Sequence, residues 1–176
     1  MTEPTAEDWL INENSIARDG RLARLKWMEN QLPSCEYMAF QGGLISRYLY
    51  DETRYCFAYG LYLATIVLGL AFIEHSLAGQ FYAAGRDDLE RASVSRLFTE
   101  AFNQGWITQI EYENLDHARK LRNPITHFHG LNTNDIIENR ALNEEEVPYS
   151  VIEADAYHVM ETIFHLMKKK TLCWTF

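Results

Sequence analysis

Apolar residues recur at helical spacing along most of this chain. Between residues 5 and 32, Trp9, Leu10, Ile16, Leu22, Leu25, Trp27, Met28 and Leu32 stand among charged residues in a loose amphipathic pattern. That spacing predicts a peripheral helix, open to interruption at Gly20 and stopped by Pro33. Residues 34–52 mix aromatic side chains with Gly42-Gly43 and read as a connection with a short helical turn. From Tyr55 to Ile73 there is no formal charge, a run long enough to raise a transmembrane helix. Tyrosines, Thr65 and two glycines lie inside it, and the pattern continues through Glu74, His75 and Ser76 to Tyr82. A helix apolar on all sides also suits the centre of a soluble bundle, which is the reading favoured over a membrane span. Gly60, Ala64, Gly69 and Ala71 would let neighbouring helices approach closely, or serve a dimer seam.

Asp87 and Asp88 are candidate caps for a third helix with Val94, Leu97, Phe98, Ala101 and Phe102 at helical spacing, ending before Gly105. Thr108-Gln109-Ile110-Glu111 is a capping-box pattern with Ile107 and Tyr112 as a staple. The helix it starts carries Leu115, Ala118 and Arg122 along one inward side, with Arg119 and Lys120 outward. Residues 131–149, polar and containing Glu144-Glu145-Glu146 and Pro148, predict a short helix and a loop. Val151 to Met167 is a clear amphipathic helix, followed by Lys168-Lys169-Lys170 where positive charge meets the negative end of the helix dipole. The apolar tail, residues 172–176, can pack back on the bundle or meet a partner. The expected fold is all-α, a single-domain up-and-down bundle of about five helices.

Composition narrows the function. The chain has 176 residues, enough for one domain with one core, and a formal net charge of −9 with pI about 5.1. Such a balance argues against a broad electrostatic footprint on DNA or an anionic membrane, which needs many basic contacts. Cys35, Cys56 and Cys173 form no CxxC pair and read as reduced thiols. The first residues are too acidic and polar for a secretory leader, so the expected compartment is the cytoplasm. Nucleophile-elbow, phosphate-loop and dinucleotide fingerprints are absent from the sequence.

The chemistry concentrates in His117 to His129, HARKLRNPITHFH. Three of the six histidines lie there with Arg119, Lys120 and Arg122 and no acidic residue. A guanidinium holds non-bridging phosphate oxygens in its planar fork, and an imidazole moves a proton near neutral pH. On an unbroken helix, positions five apart point about 140° away from each other, which would separate Arg122 from His127. Pro124 lacks an N–H and pushes the preceding residue toward extended angles. One helix is therefore expected to end near Arg122, with Asn123 as N-cap and Pro124 opening a short following turn, so that the break lets both side chains converge.

Arg122, Asn123 and His127, read as Arg-Asn-x-x-x-His, resemble the R-x4-6-H signature of the HEPN family. Members are small all-α domains, often dimeric, and many are metal-independent endoribonucleases of toxin–antitoxin, abortive-infection and other defence systems. The resemblance implies Arg122 and His127 as the catalytic pair and Asn123 as the polar residue after the Arg. Thr126, His129, Arg119 and Glu74 are candidate supporting residues. Some toxin members carry Tyr two residues after the His, where this chain has His129. The resemblance covers the motif and its helical setting, giving residues 1–176 as one HEPN-like domain with 1–32 peripheral. It implies an RNA substrate, a homodimer, a possible antitoxin or other protein partner, and no cofactor.

Two other chemistries compete. His127, His129 and His117, or the i, i+4 pairs Glu113/His117 and Glu161/His165, are possible metal ligands. The absence of Glu-x-x-His, C-x2-C and H-E-x-x-H patterns leaves no metal site expected. Alternatively the chain is a non-catalytic helical nucleic-acid- or protein-binding module in which Arg122 and His127 hydrogen-bond across a helix break.

Overall fold

A computed structural model describes residues 4–32 and 38–175. The first helix, α1 (Ala6–Gln31), opens on a capping box: Asp8 N–H donates to Thr5 Oγ1 at 3.1 Å, and Thr5 N–H to the Asp8 carboxylate at 3.0 Å. It passes through Gly20 unbroken. One glycine costs a helix about 1 kcal/mol, too little to stop twenty-six residues. The helix is peripheral, as expected: Met28 is its one buried residue, and Trp27 packs against Phe57, Tyr157 and Phe164. The expected stop at Pro33 and Cys35 both lie outside the described residues.

Residues 38–52 carry more regular structure than a connection with a short helical turn. Strand β1 (Met38–Phe40) pairs antiparallel with β2 (Cys173–Thr175), Phe40 opposite Cys173 and Met38 opposite Thr175. The apolar tail thus returns to the bundle, with Leu172 and Cys173 fully buried. Helix α2 (Gly43–Tyr59) begins immediately after β1.

The charge-free run is two helices rather than one. Gly60 takes φ 75° and ψ 21°, its N–H reaching the Cys56 and Phe57 carbonyls, and α3 (Tyr62–Ala83) restarts beyond it. A left-handed residue ends a helix cheaply only when it lacks a Cβ. Helix α3 is long and apolar enough to cross a membrane by length and composition. In the fold it is the central element, burying Ile66, Leu70, Phe72, Ile73, Leu77 and Phe81 against α2 and the helices that follow. Close approach at Gly69 is part of this packing, since a Cβ there would lie 2.6 Å from Val159 Cγ1 and 3.2 Å from Ile163 Cδ1. Val159 is fully buried and β-branched, so it has little room to move. Gly69→Val is expected to destabilise by about 1–3 kcal/mol, read as a lower urea midpoint at unchanged slope.

Helix α4 (Val94–Asn103) is capped by Ser93, whose Oγ accepts from Arg96 N–H, and not by Asp87 or Asp88. Those two form a 3-10 turn, Asp87–Leu89, where Asp88 pairs with Arg86 and Arg96 at 2.8 and 3.1 Å. Next come α5 (Gln109–Thr126), the short α6 (Ile137–Glu144), and α7 (Pro148–Lys168) with proline at its start. Arg140 of α6 grips Asp155 of α7 through two 2.7 Å bonds. The fold is all-α in character, with seven α-helices and a two-stranded ribbon among the described residues instead of about five helices. A full-length α2 ending at Gly60, where a connection and the start of one long apolar helix were expected, is the main departure, and α6 is the short helix expected within 131–149.

Candidate functional site

The expected capping box forms at the start of α5: Glu111 N–H donates to Thr108 Oγ1, and Thr108 N–H to the Glu111 carboxylate at 2.7 Å. The inward stripe is Leu115, Ala118 and Leu121, with Ile125 packed at its edge. Arg122 is half-buried beside that stripe instead of completing it.

The expected break at Pro124 does not occur. Helix α5 continues through Pro124 to Thr126; Asn123 is an interior residue, and His127 is the C-cap at φ −130° and ψ 138°. The missing N–H removes one bond, to the Lys120 carbonyl, only two positions from the helix end. Beyond it the turn is held from the other side: His127 N–H donates to Asn123 O at 2.9 Å, and Thr126 Oγ1 donates to Arg122 O at 3.2 Å. Anchoring of Ile125 in the core favours the same path. A proline this close to a terminus therefore costs much less than the ~3 kcal/mol of a mid-helix one. On an ideal helix positions five apart are separated by about 140° around the axis and about 7.5 Å along it, and His127 stands just past the last helical residue with an extended backbone.

The charges are redistributed too. Asp116, one position before the basic stretch, binds Arg119 at 2.7 Å and Lys120 at 2.9 Å. Arg119 is half-buried in this pair, and Lys120 is exposed as expected. Arg122, Asn123, His127 and His129 make no side-chain hydrogen bond or ion pair with any described residue. His127 is exposed, His129 is half-buried, and Phe128 between them is 94% exposed. Glu74 is half-buried on α3 and pairs with neither Arg122 nor His127. His117 sits edge-on to His158 of α7, ring centroids 4.6 Å apart. Loss of water around the ring, and then the neighbouring imidazole, push its pKa below the ordinary histidine value.

A second polar cluster was not anticipated. Glu111, 5% exposed, accepts from Lys169 Nζ at 2.6 and 2.7 Å and meets His165 Nε2 at 2.7 Å. Beside it is a cavity of about 240 Å³ lined by Asn114, His158, Glu161, Thr162 and His165. Lys169 thus serves a specific carboxylate and not only the helix dipole. The sequence signal was the spacing of His158, Glu161 and His165 on one face of α7, opposite Glu111 and Asn114 three apart on α5. Among the described residues no three His, Cys, Asp or Glu side chains come together as a metal site. Compared with protein-family models, curated proteins and solved structures, the chain matches none.

Proposed function

We propose that this chain is a metal-independent endoribonuclease of HEPN-like kind, working from the C-terminal end of α5 as a homodimer in the cytoplasm, in a defence or toxin–antitoxin setting. The observation that supports it most is that Arg122 has no side-chain partner among the described residues, in a segment where both neighbouring cations are bound by Asp116. An arginine without a carboxylate partner is available to an anion. The imidazoles of His127 and His129 follow it, with the exposed ring of Phe128 offering a stacking face for a nucleobase.

In the proposed reaction an RNA 2′-hydroxyl attacks the adjacent phosphorus while His127 takes its proton. The guanidinium of Arg122 holds the non-bridging oxygens, and the 5′-oxygen leaves with a proton from His129. The products are a 2′,3′-cyclic phosphate and a 5′-hydroxyl. The two Cβ atoms stand roughly 10 Å apart on an ideal helix, so Arg122 must swing toward the helix end to share a phosphate with His127. No described residue binds its guanidinium in place.

A second reading, a non-catalytic HEPN-like module that binds nucleic acid or protein, is favoured by one specific observation: α5 runs unbroken through Pro124, without the break expected to let Arg122 and His127 converge. Purified protein with single-stranded RNA and a metal chelator separates the two. Cyclic-phosphate ends that disappear in Arg122→Ala and His127→Ala are expected. Binding without cleavage supports the module, and cleavage unchanged in both variants eliminates the ribonuclease.

A further inference from the structure

Helices α1 and α2 face each other without closing. Leu22, Leu25 and Met28 recur at i, i+3 spacing on the stripe of α1 turned toward α2, and Ala58 answers them from the other side. Met28 and Ala58 are buried, but Leu22 and Leu25 remain 43% and 50% exposed. Between the helices stands a groove of about 490 Å³ with an apolar floor. Facing apolar stripes normally bury each other, and a space left open at this size falls within the roughly 300–1,000 Å³ of mostly apolar small-molecule sites.

Its unclaimed charges are of one sign. Arg18 on the α1 wall and Arg54 on the α2 wall have no carboxylate partner among the described residues, although Arg54 lies over the Tyr50 ring at 5.3 Å. The third lining arginine, Arg21, is already engaged by Asn14 at 2.9 Å and Glu13 at 3.9 Å. Asp51, the one carboxylate on the lining, is held by Arg47 at 3.1 Å. In a chain of net charge −9, two guanidiniums on opposite walls of an apolar groove give that groove a local preference for an anion.

We infer that the groove binds a free amphipathic carboxylate, a small molecule with an acyl-like chain and one anionic head. The chain lies against Leu22, Leu25 and Met28, and the head is taken by the planar fork of Arg18 or Arg54. Single-stranded RNA fits less well. Tyr59 is stacked on Tyr55 at 4.4 Å and has the Arg21 guanidinium over its ring at 4.9 Å, so it is already engaged where a base would stack. A protein partner needs roughly 800 Å² on each side, more than a groove bounded by about three turns of α1 supplies. The site is separate from the proposed RNA chemistry, since α5 packs chiefly on α3, α4 and α7.

Isothermal titration of the full chain with monomeric decanoate tests it. Decanoate is expected to bind at one site and about tenfold or more tighter than decyltrimethylammonium, which has a similar chain and the opposite charge. Acetate, a head without a chain, should not bind. Arg18→Gln with Arg54→Gln should weaken decanoate about tenfold or more, the usual worth of hydrogen bonds to a charged group, and leave the cationic amphiphile unchanged. Leu25→Asp places a carboxylate on the apolar wall and should weaken decanoate to a similar extent with helix content unchanged, Leu25 being half exposed. No binding of decanoate, equal binding of the cationic amphiphile, or binding indifferent to both variants would overturn the inference. A single-stranded RNA oligonucleotide or an anionic phospholipid vesicle that binds through Arg18 and Arg54 when decanoate does not would assign the groove to that partner instead.

Discussion

His127→Ala is expected to slow RNA cleavage by about 10²–10⁴-fold, the usual contribution of a positioned general base. Because His127 is exposed and makes no side-chain bond to a described residue, the substitution should change stability by no more than about 0.5 kcal/mol. A lost rate with an intact fold would then be a chemical result. Arg122→Ala should cost about 10²–10³-fold through the missing partner for the phosphoryl oxygens, and Arg122→Lys should restore little of it, since an ammonium has no planar fork. Lys120→Ala removes an exposed cation bound to Asp116 and should leave the rate unchanged, which separates a specific site from general positive charge. The double variant should be little slower than the worse single one, because groups acting on one transition state are not additive. Single-turnover cleavage of end-labelled RNA measures all five variants. Equal losses for Lys120→Ala and His127→Ala would mean that binding, not proton transfer, had been removed.

Sequence legibility follows the range of the interactions. The Thr108–Glu111 box and the Leu115–Ala118 stripe are local and were readable. Pro124 was misread because the rule for prolines describes helix interiors, whereas here one bond is lost beside a terminus that Ile125 and Thr126 hold. Gly60 was expected only to allow close helix packing or a dimer seam, and Gly20 to permit an interruption. The first ends α2 because it takes a left-handed conformation, and the second does not because its backbone stays helical, a difference composition does not display. Capture of Arg119 and Lys120 by Asp116 obeys i, i+3 and i, i+4 geometry and is legible locally, although Asp116 lies one residue outside the acid-free stretch His117–His129. Pairing of the C-terminal tail with residues 38–40, and the reach of Lys169 to Glu111, depend on chain reversals far apart in sequence. No local pattern names such a partner.

The pairing of Glu111 with Lys169 has the largest expected effect on stability. Burial by itself pushes a carboxyl pKa up. Here hydrogen bonds from Lys169, from the backbone and hydroxyl of Thr108, and from His165 outweigh that and bring Glu111 from 4.5 down to about 2. The difference corresponds to roughly 3 kcal/mol at 1.36 kcal/mol per pH unit. Its sign follows from the folded state binding the proton less tightly than the unfolded chain. The stabilisation is complete above pH 4.5, falls as the pH drops from 4.5 toward 2, and is gone below. Glu111→Gln keeps the shape and a side-chain oxygen for Thr108 but removes the charge that Lys169 and His165 face. It should cost about 3 kcal/mol at pH 7 and progressively less in acid, so the wild-type and variant stability curves converge near pH 2. Lys169→Met should cost less than Glu111→Gln, because Lys169 is 39% exposed and His165 and Thr108 remain on the carboxylate. Urea unfolding at pH 7, 4 and 2.5 distinguishes these cases. Parallel curves for wild type and Glu111→Gln across that range would mean that the ionised carboxylate contributes nothing. The cluster joining α5 to α7 would then be held by packing alone.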